Sequence, residues 1–179
     1  MKSVAIILEN GVEEIEAITP YDLLNRANIE CDLVSTKANK VTGAHGATLE
    51  TKFISSFDNY DMIVLPGGMP GAKNLSENKI VLEAINDFAV KGKFIAAICA
   101  SPALVLTKTK AIDGKNVTCY PGMEENFKNS NYKNRNVVVD GKVITSQGPA
   151  TSIDFALALI DLLGGDSKSV SQGVLYKTL

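Results

Sequence analysis

Five short apolar runs, Val4 to Leu8, Cys31 to Ser35, Met62 to Leu65, Phe94 to Ile98 and Val143 to Ser146, recur along the chain with longer amphipathic stretches between them. Near-continuous apolar runs of four or five residues read as strands buried on both faces. Parallel strands need crossover connections, and Glu14 to Ala27, Lys79 to Lys91, Pro102 to Lys108 and Thr151 to Leu163 carry helical patterns that supply them. The expectation is an α/β fold with a mostly parallel, doubly wound sheet. Val137 to Asp140 and Lys142 to Thr145 flank Asp140-Gly141, a hairpin signal, and the glycine-punctuated stretch Val41 to Lys52 reads as a second hairpin. No internal repeat, low-complexity segment or linker interrupts the 179 residues, which read as one domain, 1–179.

Composition narrows the function mainly by exclusion. A net charge of -2 with no Lys/Arg stripe gives no footprint for nucleic acid. No apolar run approaches the roughly 20 residues of a membrane span. The first run is cut short by Glu9 and Asn10, so it reads as a strand and not as a signal peptide. Cys31, Cys99 and Cys119, an odd set without a CxxC pair, read as free thiols of a cytoplasmic protein. With His45 as the only histidine, no His-based metal cluster is expected; no nucleotide fingerprint is present either, so no cofactor is expected.

In a doubly wound sheet, ligands bind beyond the carboxyl ends of the strands, so the residues after each apolar run carry the functional signal. Phe94 to Ile98 ends at Cys99-Ala100-Ser101-Pro102: a cysteine, two small residues, then a proline suited to a first helical turn. This is the pattern of a nucleophile elbow, where bulky neighbours would collide. A thiol facing a helix N-terminus is expected to favour the thiolate. Cys31, inside a strand, and Cys119, before Tyr120-Pro121, read as ordinary small core residues.

Three other junctions stand out. Leu65-Pro66-Gly67-Gly68-Met69-Pro70-Gly71 is a glycine-rich turn that reads either as a plain turn or as backbone aimed at an oxyanion. In Glu13-Glu14-Ile15-Glu16, the first two acids read as exposed complements to the helix dipole. Glu16, if it lies in the crevice, would be protonated by burial and would bond a thiolate or a substrate oxygen. Pro20 lacks the N–H that the Glu16 carbonyl would accept, so an irregular turn is expected there. Ser146-Gln147-Gly148-Pro149-Ala150 reads equally as a loop or a pocket wall, before a helix capped by Thr151 or Ser152. His45 reads as a loop histidine and is carried, with Tyr120 and Gln147, as a further candidate for the pocket.

These four motifs, in this order, resemble the ThiJ/PfpI superfamily, and within it the branch of the Parkinson-linked protein deglycase and its bacterial relatives. The resemblance covers essentially the whole chain. It implies a flavodoxin-like three-layer sandwich of the class I glutamine amidotransferase-like kind, a homodimer, and no cofactor. It also implies that Cys99 is the nucleophile, Glu16 its protonated partner, and the backbone at Gly68 and Ala100 the oxyanion site, with Gly67 beside it. The protease-like branch places a histidine directly after the nucleophile; Ala100 stands there, which disfavours a peptidase. Several deglycase-branch members carry histidine at the Tyr120 position and arginine at the Gln147 position.

The implied enzyme converts small 2-oxoaldehydes such as methylglyoxal to 2-hydroxy acids, or removes their adducts from glycated protein side chains. The alternative uses the same pair as a peroxide sensor or redox-switched chaperone, with an oxidised Cys99 held by Glu16.

Overall fold

The computed structural model describes residues 2–176. Its elements in chain order are β1 (Ser3–Ile7), α1 (Glu14–Arg26), β2 (Glu30–Ser35), β3 (Lys40–Thr42), β4 (Thr48–Glu50), β5 (Lys52–Phe53), β6 (Met62–Leu65), α2 (Gly71–Ser76), α3 (Lys79–Val90), β7 (Phe94–Ile98) and α4 (Ser101–Leu104). After them come β8 (Asn116–Val117), β9 (Asn131–Tyr132), β10 (Val137–Asp140), β11 (Val143–Ser146), α5 (Ser152–Leu162) and α6 (Ser167–Gly173). A seven-stranded sheet runs β10-β11-β7-β6-β1-β2-β5 and is parallel except for the β10–β11 pair. All five apolar runs are strands of this sheet.

Side-chain alternation along β1 divides the core. Val4, Ile6 and Leu8 join Leu23 and Leu24 of α1 and Phe155 and Leu159 of α5 on one face. Ala5 and Ile7 join Val81, Ile85 and Phe88 of α3 on the other. The result is an α/β/α sandwich, the flavodoxin-like arrangement expected. A strand buried on both sides has no polar face to alternate with, which is why these runs are apolar throughout. Among the described residues no helix is long and apolar enough to cross a membrane.

The smaller elements depart from the sequence reading. β3 and β4 form the second hairpin, with Val41 opposite Leu49. In the first hairpin Asp140 pairs with Val143, so the turn is Gly141-Lys142, one residue later than expected, with Gly141 at φ +64°. The helix expected over Pro102 to Lys108 is only α4 followed by a 3-10 turn at Leu106–Lys108. Helix α1 continues unbroken through Pro20. Neither Thr151 nor Ser152 caps α5 with its side chain; the Thr151 hydroxyl turns back to donate to the Gly148 carbonyl at 2.9 Å.

Candidate active site

The sheet changes direction at β1, whose neighbours are β2 on one side and β6 on the other. Strands β7, β6 and β1 lie side by side there, and their carboxyl ends lead into Cys99, Gly67 and Glu16. Cys99 adopts φ +64°, a left-handed conformation that costs a non-glycine residue about 1–3 kcal/mol and is typical of a nucleophile turned out from the end of a strand. The turn is fixed on both sides: Cys99 N–H donates to the Ser146 carbonyl at 3.0 Å, and the Cys99 carbonyl accepts Tyr120 N–H at 2.8 Å. The expected elbow is present.

Glu16 is completely buried. With Pro20, Leu23 and Leu24 it lies on the inward face of α1, at spacings i, i+4, i+7 and i+8. Its Oε2 accepts Gly67 N–H at 2.8 Å, and its Oε1 has no well-formed hydrogen bond among the described residues. Burial pushes the Glu16 carboxyl up to about 7, further assisted by the charge of Glu13, while Gly67 N–H and Cys99 pull the other way. Gly67 leaves no space between the partners: a Cβ there would lie 2.7 Å from Cys99 Cβ and 2.9 Å from Glu16 Oε2.

The thiol does not follow the expectation of a free-standing thiolate. Burial, then the charge and hydrogen bond of Glu16, push Cys99 up to about 12, against the backbone N–H groups of Gly68 and Ala100. The helix behind it has only four residues, too short for a strong dipole. Two of the three raising influences act through Glu16, so the proton is decided by the pair and not by the cysteine alone. Cys31 is raised by burial, and burial followed by the charge of Glu124 takes Cys119 up to about 12. Both are buried, whereas Cys99 is only partly so.

Cys99, Ala100 and Gly68 form the floor of a cleft of about 670 Å³. Its walls are Met69, Leu104, Tyr120, Pro121, Met123 and Pro149, with Glu13 the one acid. Tyr120 therefore belongs to the pocket. Gln147 does not line it: its Nε2 donates to Asn134 Oδ1 at 2.9 Å. His45 also lies outside the lining, with Nδ1 2.9 Å from Glu14 Oε2. Glu13 and Glu14, expected as exposed acids, are respectively buried and half-buried. Burial pushes Glu14 up, but the His45 ring and the N–H groups of Glu14, His45 and Ala47 outweigh it and hold the carboxyl at about 2. His45, Glu13 and Glu14 nonetheless meet in space, a mixed group that the expectation of no His-based cluster did not address.

Sequence reasoning missed Glu13 as a wall and Ser101 as a tie, whose Oγ donates to the Pro66 carbonyl at 2.5 Å. Adjacency to Cys99 was the only signal for Ser101. Glu13 gave none, because its burial depends on the glycine turn packed over it.

Fold and site together define an α/β protein with an elbow cysteine paired to a buried carboxyl group. The chain belongs to the DJ-1/PfpI family, whose model matches residues 2–162. Protein dj-1beta of Drosophila melanogaster is 36% identical over 183 residues, covering 97% of each chain. The "Glutathione-independent glyoxalase DJR-1.2" of Caenorhabditis elegans is 33% identical over 176 residues, covering 95% of this chain and 93% of that one. Protein DJ-1 homolog B of Arabidopsis thaliana is 34% identical over 180 residues, and the match covers 93% of this chain but only 39% of that longer protein. Among solved structures, oxidized DJ-1 of Toxoplasma gondii superposes with a TM-score of 0.94 at 32% identity, covering 99% of this chain and 100% of that one.

Proposed function

We propose that this protein is a cofactor-independent cysteine enzyme that converts small 2-oxoaldehydes to 2-hydroxy acids, or acts on their adducts with protein side chains. The observation that carries the reading is the buried Glu16 carboxyl, raised to about 7 and set against Cys99. A group that titrates near neutrality is suited both to take and to return a proton. A relative that is itself described as a glutathione-independent glyoxalase supports the same chemistry.

The steps follow from the pair. Glu16 as carboxylate takes the Cys99 proton while sulfur attacks the aldehyde carbon, so the high pKa of the free thiol is overcome by an adjacent base. Glu16 then gives that proton to the aldehyde oxygen, completing a hemithioacetal, with the N–H groups of Gly68 and Ala100 steadying the oxygen. Glu16 next removes the hydrogen from the former aldehyde carbon, giving an enediolate; the hydroxyl proton on that carbon passes to the neighbouring oxygen, and Glu16 delivers its hydrogen to the neighbouring carbon. This leaves a 2-hydroxy thioester. Water cleaves the thioester, freeing the hydroxy acid and the thiol. No electron enters or leaves, and the net change is addition of one water.

A second reading, oxidation of Cys99 as a peroxide signal, is favoured by its being the only partly exposed thiol of the three and by the oxidized state of the Toxoplasma relative. The raised thiol pKa places it second, since peroxide reacts with thiolate. A homodimer in the cytoplasm completes the proposal. Ile15, Ile18 and Tyr21, exposed on α1, are apolar surface that such pairing would cover.

The deciding experiment measures methylglyoxal loss and lactate formation. Wild type is expected to turn over without added glutathione, and Cys99→Ser to lose a thousandfold or more, about the scale seen when a nucleophile is deleted. Equal rates for both proteins would overturn the enzyme reading.

A further inference from the structure

The turn between β3 and β4 carries His45 onto the first turn of α1, bringing together groups 31 residues apart in sequence. Its Nδ1 lies 2.9 Å from Glu14 Oε2 and 3.4 Å from Glu13 Oε2, and all three atoms fall within 4.8 Å of one another. We propose that Glu13, Glu14 and His45 form a binding site for a borderline divalent transition-metal cation, of the Zn2+ or Co2+ kind, at the rim of the Cys99 cleft.

The donor spacing supports this. A cation held at about 2.0–2.2 Å by imidazole nitrogen and carboxylate oxygen sets neighbouring donors about 3.0 Å apart in an octahedron and about 3.4 Å apart in a tetrahedron. Two edges of the triangle have these lengths. One imidazole with two carboxylates suits Zn2+ or Co2+, whereas Mg2+ and Ca2+ favour shells of oxygen alone.

The donors are also held in place by an outer set of bonds, as ligands of bound metals are. Glu14 Oε1 accepts N–H from His45 at 2.9 Å and from Ala47 at 3.3 Å, which orients Oε2 toward the ring. The turn itself is fastened to the loop before α1: Ala44 N–H donates to the Val12 carbonyl at 2.8 Å, and Gly43 packs so closely on Glu14 that a Cβ would collide with its carboxylate. The two carboxylate side chains are 12% and 16% exposed and the ring 72%, so the site has fixed walls and a side open to solvent. A protonated His45 would satisfy the same two carboxylates, and the test has to separate cation from proton.

Untagged protein is titrated with Co2+ and followed by visible absorption. The expected result is one Co2+ per chain, with d–d bands and no sulfur-to-cobalt charge-transfer band. Cys99→Ala should bind as wild type does, and His45→Ala, altering a mainly exposed ring, should bind at least tenfold more weakly. No binding by wild type, equal binding by His45→Ala, or loss of binding in Cys99→Ala would each overturn the proposal.

Discussion

The carboxyl ends of β7 and β11, neighbours in the sheet, use nearly the same sequence grammar and reach opposite outcomes. Both leave a buried strand through a short segment that reaches a proline at its fourth residue: Cys99-Ala100-Ser101-Pro102 in one case, Ser146-Gln147-Gly148-Pro149 in the other. At β11 the polar groups close on each other. Ser146 Oγ donates to the Asn136 carbonyl at 2.7 Å and lies 2.6 Å from Thr151 Oγ1, which accepts Gly148 N–H at 3.1 Å. At β7 the backbone is held in a left-handed turn, and the buried Oε1 of Glu16 lacks a well-formed partner among the described residues. A closed set of hydrogen bonds makes a joint, whereas an ionisable group left short of partners makes a reagent.

The comparison is broken most severely by removing the ionisable proton. Glu16→Gln keeps an acceptor for Gly67 N–H but has no proton to exchange, so 2-oxoaldehyde turnover should fall by about a hundredfold or more while the far-UV spectrum is unchanged. A folded variant with near wild-type turnover would return Glu16 to a structural role.

Stability should respond on a similar scale and with a definite sign. The folded-state value of about 7 lies above the ordinary 4.5, so the native state holds this proton more tightly than the unfolded chain. The resulting stability is fully present below pH 4.5 and is lost as pH rises through 7, a change of about 3 kcal/mol at roughly 1.4 kcal/mol per pH unit. Urea unfolding of wild type and Glu16→Gln across this window should show a difference that grows with pH in favour of the variant. A constant difference would remove Glu16 as its source.

Smaller effects come from the two glycines. Gly67→Ala pushes a methyl group against Cys99 and Glu16, and should cost about 1–3 kcal/mol and most of the turnover. Gly148→Ala meets Tyr120 Cδ2 at 3.4 Å, close to ordinary contact, and should cost under about 0.5 kcal/mol. Equal costs in thermal unfolding would erase the distinction between the two junctions.

What the sequence disclosed follows the same divide. Strands such as Met62–Leu65 were legible because burial on both faces writes an unbroken apolar run, and Cys99 was legible because a tight elbow demands small neighbours. Glu16 was legible only as a candidate, from its place just beyond the first strand and from the family resemblance; the inward stripe it shares with Pro20, Leu23 and Leu24 emerged with the helix itself. The hidden features rest on contacts remote in sequence. Gln147 is drawn to Asn134, His45 is captured by Glu14, and the two-residue strands β8 and β9 are defined by their pairing with each other. The thiol was misjudged for the same reason, because its ionisation is governed by a carboxyl group 83 positions away in the numbering, Cys99 against Glu16.

The tight fit at Gly67 bears on the identity of a single hydrogen. Packed against this turn, Glu16 is completely buried, so its carboxyl group has no direct contact with bulk solvent. On the proposed route Glu16 strips hydrogen from one carbon and must set it on the next. Sheltered in this way, the carboxyl group holds the same nucleus between the two events instead of trading it with the bulk. The hydrogen at the new stereocentre is then an heirloom of the substrate.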